Sequence, residues 1–136
     1  MAHFILDERL ERDSVSIARL GLSDVRLAKD SRWPWIILVP QRANVSEIFD
    51  LDADDQAELA REQARIGHLL KDMTGASKIN IAAIGNMVRQ LHVHVVARFE
   101  GDANWPGPIW GHGQPAAYDE QAFETLKAKL QKALAA

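Results

Sequence analysis

The sequence predicts an α+β domain, an antiparallel β-sheet of about five strands with two main helices. Three observations predict it. Short segments of alternating apolar residues follow one another directly, two longer stretches repeat their apolar residues at helical spacing, and the segments run strand, strand, strand, helix, strand, strand, helix. Strands that succeed one another without an intervening helix favour antiparallel pairing. The 136 residues fit one compact domain over 1–136, long enough to bury a core without a covalent staple.

The elements follow in order. LDERLERD (6–13) suits one or two helical turns. SVSIARL (14–20) and DVRLA (24–28) alternate and are separated by the turn residues GLS, which reads as a hairpin. Pro34 and Pro40 then bracket WIILV, whose aromatic and β-branched content marks a buried strand. The clearest helix follows. Asp52 suits its N-cap, Asp54 and Asp55 suit the positive end of its dipole, and Gly75 suits its stop. Leu59, Ile66, Leu70 and Met73 form its apolar stripe. KINIAAI (78–84) reads as a strand, Gly85-Asn86 as a turn, and NMVRQLHVHVVAR (86–98) as the last strand. The Gly-, Pro- and Trp-rich stretch 99–115 is a loop. A final helix begins at Asp119, with Phe123, Leu126, Leu130 and Ala133 facing the core.

Composition narrows the function. Hydrophobic residues make up 47% and charged residues 26% of the chain, the balance of a globular domain. A net charge of −3 argues against a general nucleic-acid or anionic-membrane partner. The absence of cysteine excludes disulfides, thiolate metal sites and a cysteine nucleophile, and suits a reducing, cytoplasmic setting. The N-terminus has no basic segment leading into a long apolar run, so no signal peptide is expected. No apolar run reaches the length of a membrane helix.

The chemistry concentrates in residues 86–98. Alternate residues of a strand share a face. Arg89, Leu91, Val93, Val95 and Ala97 fall on one face, mostly apolar and expected to meet the core. Val88, Gln90, His92, His94, Val96 and Arg98 fall on the other. At a rise of roughly 3.3 Å per residue, the two histidines are close enough for their rings to converge on one ligand atom. Three arrangements fit: a solvated sheet face with incidental histidines, a metal site in want of a third ligand, or a histidine nucleophile beside phosphate-binding donors.

In this setting the residues resemble the histidine triad (HIT) family of nucleotide hydrolases and transferases. That family's signature, His-φ-His-φ-His-φ-φ with φ apolar, is similar to Gln90-Leu91-His92-Val93-His94-Val95-Val96. Gly85-Asn86-Met87-Val88 resembles the family's Gly-Gln-[Ser/Thr]-Val. Trp35 to Pro40, followed by Gln41-Arg42, resembles its earlier strand, and Trp105-Pro106-Gly107 resembles a tail found in its purine-nucleoside phosphoramidase branch. The match runs from about Asp30 to Gly111 and looks most like a bacterial branch with Gln-x-His-x-His in place of the full triad.

The resemblance implies a HIT-like fold and a homodimer. It also implies a nucleotide as the small-molecule substrate, with no metal or other cofactor in the chemistry. His92 takes the position that attacks the α-phosphorus of a nucleoside phosphoramidate or dinucleoside polyphosphate. His94 and Gln90 complete the catalytic set. Asn86 falls where the family binds phosphate, Asp30 where ribose hydroxyls are held, and Trp105 in the tail beside the site. The alternative is a nucleotide-binding or interaction protein whose degenerate triad has lost turnover.

Three departures bear on that choice. Gln90 exchanges hydrogen bonds but carries no proton. Met87 lacks the usual hydroxyl. Trp35 stands where the family's earlier strand begins with histidine. Galactose-1-phosphate uridylyltransferases, which resemble the same family, carry Gln at the third position and still use a histidine nucleophile. Trp33 and Trp35 are expected in packing rather than base stacking. Arg42 and Arg98 are expected at the surface, and His68 and His112 without a role.

Overall fold

The computed structural model describes residues 2–135, in which a five-stranded antiparallel sheet is ordered β1-β2-β3-β5-β4. The strands are β1 (Ser14–Arg19), β2 (Ser23–Ala28), β3 (Trp35–Pro40), β4 (Lys78–Ala82) and β5 (Val93–Arg98). The helices are α1 (Glu8–Asp13), α2 (Ala53–Thr74) and α3 (Glu120–Ala135). No helix among the described residues is long and apolar enough to cross a membrane.

The hairpin β1–β2 closes through Leu20 N–H donating to Ser23 O at 2.9 Å, and a bulge between Ser16 and Ala18 shifts its register. After β3 the chain leaves the sheet, makes a short 3-10 turn (Ile48–Asp50) and enters α2. The Asp52 carboxylate caps α2 by accepting from Asp55 N–H at 2.8 Å. Gly75, at φ 71°, ends it in the left-handed conformation that glycine adopts without a Cβ penalty. Leu59, Ile66 and Leu70 are fully buried, each stabilising by roughly 1.5–3 kcal/mol, and Met73 packs beside them. Asp119 accepts from Ala122 N–H at the start of α3, whose Leu130 and Leu134 join the same core.

That core lies on one face of the sheet, against Val25, Leu27, Ile36, Leu38, Val93, Val95 and Ala97. The alternate residues build the other face. There Ile37 pairs with His94 and Trp35 with Val96. Leu10 of α1 packs with Ala28, Ile37 and Val39.

Four sequence expectations are corrected. The last strand begins at Val93 rather than Asn86, and β4 ends at Ala82 rather than Ile84. Gly85 at φ 64° turns the chain out of an extended path, and Leu91 N–H donates to Val45 O, outside the sheet. Arg89 is exposed, not core-facing. Arg98 is not at the surface. It is 1% exposed, grips the Asp102 carboxylate at 2.9 and 2.8 Å and donates to Asn80 Oδ1 at 2.9 Å. Its guanidinium lies 5.6 Å from the Trp105 ring and 6.0 Å from the Trp33 ring.

Candidate active site

β5 and the residue preceding it deliver the two imidazoles. Alternation along the extended chain keeps them on one face although only His94 is within the strand. Their ring centroids are 4.9 Å apart and nearly perpendicular. Both residues are 6% exposed, and both line a cavity of about 500 Å³, within the size range of small-molecule sites.

Each imidazole has one nitrogen occupied. His92 Nδ1 lies 2.7 Å from the main-chain oxygen of Gln90. A carbonyl only accepts, so Nδ1 carries the proton and the neutral ring keeps a lone pair on Nε2. His94 is the opposite case. The Trp35 indole Nε1–H donates to His94 Nδ1 at 3.0 Å. An indole nitrogen only donates, so the proton of neutral His94 sits on Nε2. Burial, and secondarily the neighbouring His92, push the His94 pKa down from 6.5 to about 3. The pair therefore offers one nucleophilic nitrogen and one neutral hydrogen-bond donor.

The cavity walls come from four places. Trp35 and Ile37 rise from β3, Leu10 and the arginines Arg9 and Arg12 from α1, and Asp30 and Arg32 from the β2–β3 connection. The fourth wall is the strap Ile109–Pro115. Trp110 of that strap lies 5.4 Å from the His94 ring. Arg32 fastens the strap by donating to His112 O, and Ser31 N–H donates to Ala116 O at 2.8 Å. A smaller cavity of about 250 Å³, lined among others by Ser46, Phe49, Ile84 and Arg89, also reaches His92. His92 thus stands between two spaces.

The remaining predicted site residues divide. Asp30 lines the larger cavity, but its carboxylate accepts from Arg32 Nε, Nη2 and main-chain N–H and from Ala116 N–H. Burial alone would raise its pKa; the Arg32 and main-chain hydrogen bonds outweigh that and hold it below the usual carboxylate range. Gln90 lines the smaller cavity and holds His92 through its carbonyl. Its side-chain amide turns to the N-terminal segment, donating to Ile5 O at 2.8 Å and accepting from Asp7 N–H at 2.9 Å. Asn86 is exposed and lines neither cavity. Trp105 is also outside the larger cavity, against Arg98, so of the two loop tryptophans it is Trp110 that lies beside His94. Trp33 is buried, donating to Ala103 O. Trp35 combines packing with its bond to His94, a role that no local pattern displayed. Among the described residues, no group of three or more His, Cys, Asp or Glu is arranged to hold a metal ion.

An antiparallel sheet with a helix-covered core face carries two convergent imidazoles on the other, beside a cavity of small-molecule size. The chain belongs to the HIT family, whose HIT domain matches residues 9–101. A histidine triad protein of Sinorhizobium meliloti is 55% identical, with 95% of this chain and 96% of that chain covered and a TM-score of 0.92. One from Bradyrhizobium japonicum is 44% identical over 96% and 98% of the two chains, with a TM-score of 0.94. Among curated proteins, an AP-4-A phosphorylase of Mycobacterium tuberculosis is 34% identical over 82 residues, which is 56% of this chain and 42% of that protein. The chain thus matches less than half the length of that relative.

Proposed function

We propose that this HIT protein is a nucleotidyl-transfer hydrolase that attacks the α-phosphorus of a nucleoside phosphoramidate or dinucleoside polyphosphate through His92. The observation that carries the reading is the His92 Nδ1 contact with Gln90 O, which leaves Nε2 free at the junction of two cavities. The lone pair on Nε2 forms the bond to phosphorus, and the resulting cationic imidazole stays bonded to the carbonyl through Nδ1–H. Water then displaces it, releasing the nucleoside monophosphate. His94 Nε2–H supplies a hydrogen bond to a phosphate oxygen as charge builds there. The AP-4-A phosphorylase likeness supports a nucleotide substrate. The cysteine-free composition supports a cytoplasmic setting.

The test is incubation with an adenosine phosphoramidate and a diadenosine polyphosphate, comparing the protein with its His92→Ala variant. Acid-labile nucleotidyl-protein and released monophosphate are expected, and both should vanish in the variant. The engagement of the Gln90 side chain by the N-terminal segment favours a second reading, a nucleotide binder without turnover. Monophosphate binding with neither adduct nor turnover would establish that reading instead.

A further inference from the structure

We propose that the site selects nucleoside 5′-phosphate anhydrides, whose leaving groups depart as oxyanions, and discriminates against alkyl phosphoramidates, because Trp35 and Gln90 leave it without a proton donor for a departing amine. The inference rests on the nucleotidyl-transfer reading and deepens it. It follows from the partners of the two imidazoles. Nδ1 of His94 is occupied by the Trp35 indole N–H, so accepting a transferable proton there means breaking that bond and burying a charge. The Nε2–H that remains is a hydrogen-bond donor and far too weak an acid to give up its proton. His92 spends its free nitrogen on phosphorus, and its Nδ1–H faces the Gln90 carbonyl. The Gln90 amide is committed to Ile5 and Asp7. The ring against His94 from the strap is Trp110, also without a transferable proton.

The ion-paired carboxylates near the site do not supply one. Asp7, Asp13 and Asp30 are each ion-paired with an arginine and held below the usual carboxylate range, hence ionised at neutral pH. Lys29 and His112 line the larger cavity and Glu47 the smaller one, all from exposed positions, and none is hydrogen-bonded to either imidazole.

The bond changes balance accordingly. As the His92 Nε2–P bond forms, the P–O bond of an anhydride breaks, and its electron pair leaves on phosphate or sulfate oxygen, stable without protonation. In a phosphoramidate the pair would leave on nitrogen, which departs only as a protonated amine. Water closes the cycle, restoring the Nε2 lone pair and releasing a proton to solvent.

The experiment measures kcat/KM and the nucleotidyl-protein adduct at neutral pH. The anhydrides are diadenosine tetraphosphate and adenosine 5′-phosphosulfate; the phosphoramidate is adenosine 5′-(N-butyl)phosphoramidate. General acid catalysis contributes typically 10²–10⁴-fold, so the anhydrides should be favoured by about 100-fold or more. In Trp35→His and Gln90→His, checked for folding by circular dichroism, that ratio should narrow through faster phosphoramidate cleavage. Equal cleavage of both classes overturns the inference while leaving nucleotidyl transfer intact. So does phosphoramidate cleavage that disappears in His112→Gln, which would identify an acid. Absence of adduct from every substrate overturns the nucleotidyl-transfer reading and this inference with it.

Discussion

Trp35 donates its indole N–H to Nδ1 of His94 across 3.0 Å, from the first residue of β3 to the second residue of the neighbouring strand β5. The bond fixes which nitrogen of His94 faces the cavity with a proton. Trp35→Phe keeps the aromatic packing and removes the donor. The expected outcome is a shift of His94 from a single Nε2–H tautomer to a mixture, read from ¹⁵N chemical shifts of the ring. A stability loss of about 1 kcal/mol should accompany it, with kcat/KM falling on the order of tenfold if the donor aligns a phosphate oxygen. An unchanged tautomer would show that packing alone orients the ring.

His94 also makes stability depend on pH. Folding holds it neutral down to about pH 3, whereas an exposed imidazole takes its proton near 6.5. Between those values the unfolded chain binds more protons. Stability should therefore fall as pH drops through this window, by about 1.4 kcal/mol per pH unit well below 6.5, and be unaffected by this group above it. Asp7, Asp13, Asp30 and Asp102 have folded pKa values below 3.8, so the stability they add is lost only at lower pH, as the pH falls through those values. Urea unfolding at pH 7, 6 and 5 isolates the imidazole, and His94→Gln should flatten the slope.

Much of this site was legible because its signal is local. Alternation placed His92 and His94 on one face, and Asp52 with Gly75 bounded α2 within a residue. What escaped is set by contacts distant in sequence. Gln90 meets Asp7 and Ile5 across 83 and 85 positions, and that engagement helps hold residues 86–92 out of the sheet. Trp105 and Trp110 are equivalent to any local reading; the strap's attachment to Ser31 and Arg32 decides which reaches His94. Arg98 is buried because Asp102, one turn of loop later, curls back to neutralise it.

The Gln90 side chain gives a separable test of the N-terminal segment. Gln90→Ala removes two hydrogen bonds while retaining the carbonyl that holds His92. Stability should fall by about 1–3 kcal/mol, and hydrogen exchange should accelerate at Asp7 N–H, whose acceptor is lost. Adduct formation at His92 should persist, because the main-chain acceptor at 2.7 Å remains.

The Arg98–Asp102 pair should be expensive to break. Asp102→Ala strands a buried guanidinium with Asn80 Oδ1 as its close acceptor. A loss of about 3–5 kcal/mol is expected, read as a lower urea midpoint. The double variant Arg98→Met/Asp102→Leu removes both charges and should recover part of that loss. If the single variant were as stable as the parent, solvent would have to reach Arg98.

The sheet ends at β4, which pairs only with β5 and leaves its outer edge unpaired. Exposed main-chain donors and acceptors on an apolar edge invite another strand. Ile81 on β4 is exposed, as are Ile84 and Met87 just beyond it and Phe49 beside the smaller cavity, the last at 79%. A second copy of the chain, adding its own β4 edge to edge, would cover this surface and close the smaller cavity next to His92. Sedimentation should therefore find a dimer, and Ile81→Lys combined with Phe49→Glu should shift it to monomer. Each folded monomer keeps the larger cavity, so nucleoside monophosphate binding should survive. Turnover of substrates whose leaving group occupies the smaller cavity should fall. A monomeric parent protein at micromolar concentration would instead assign that edge to a different partner.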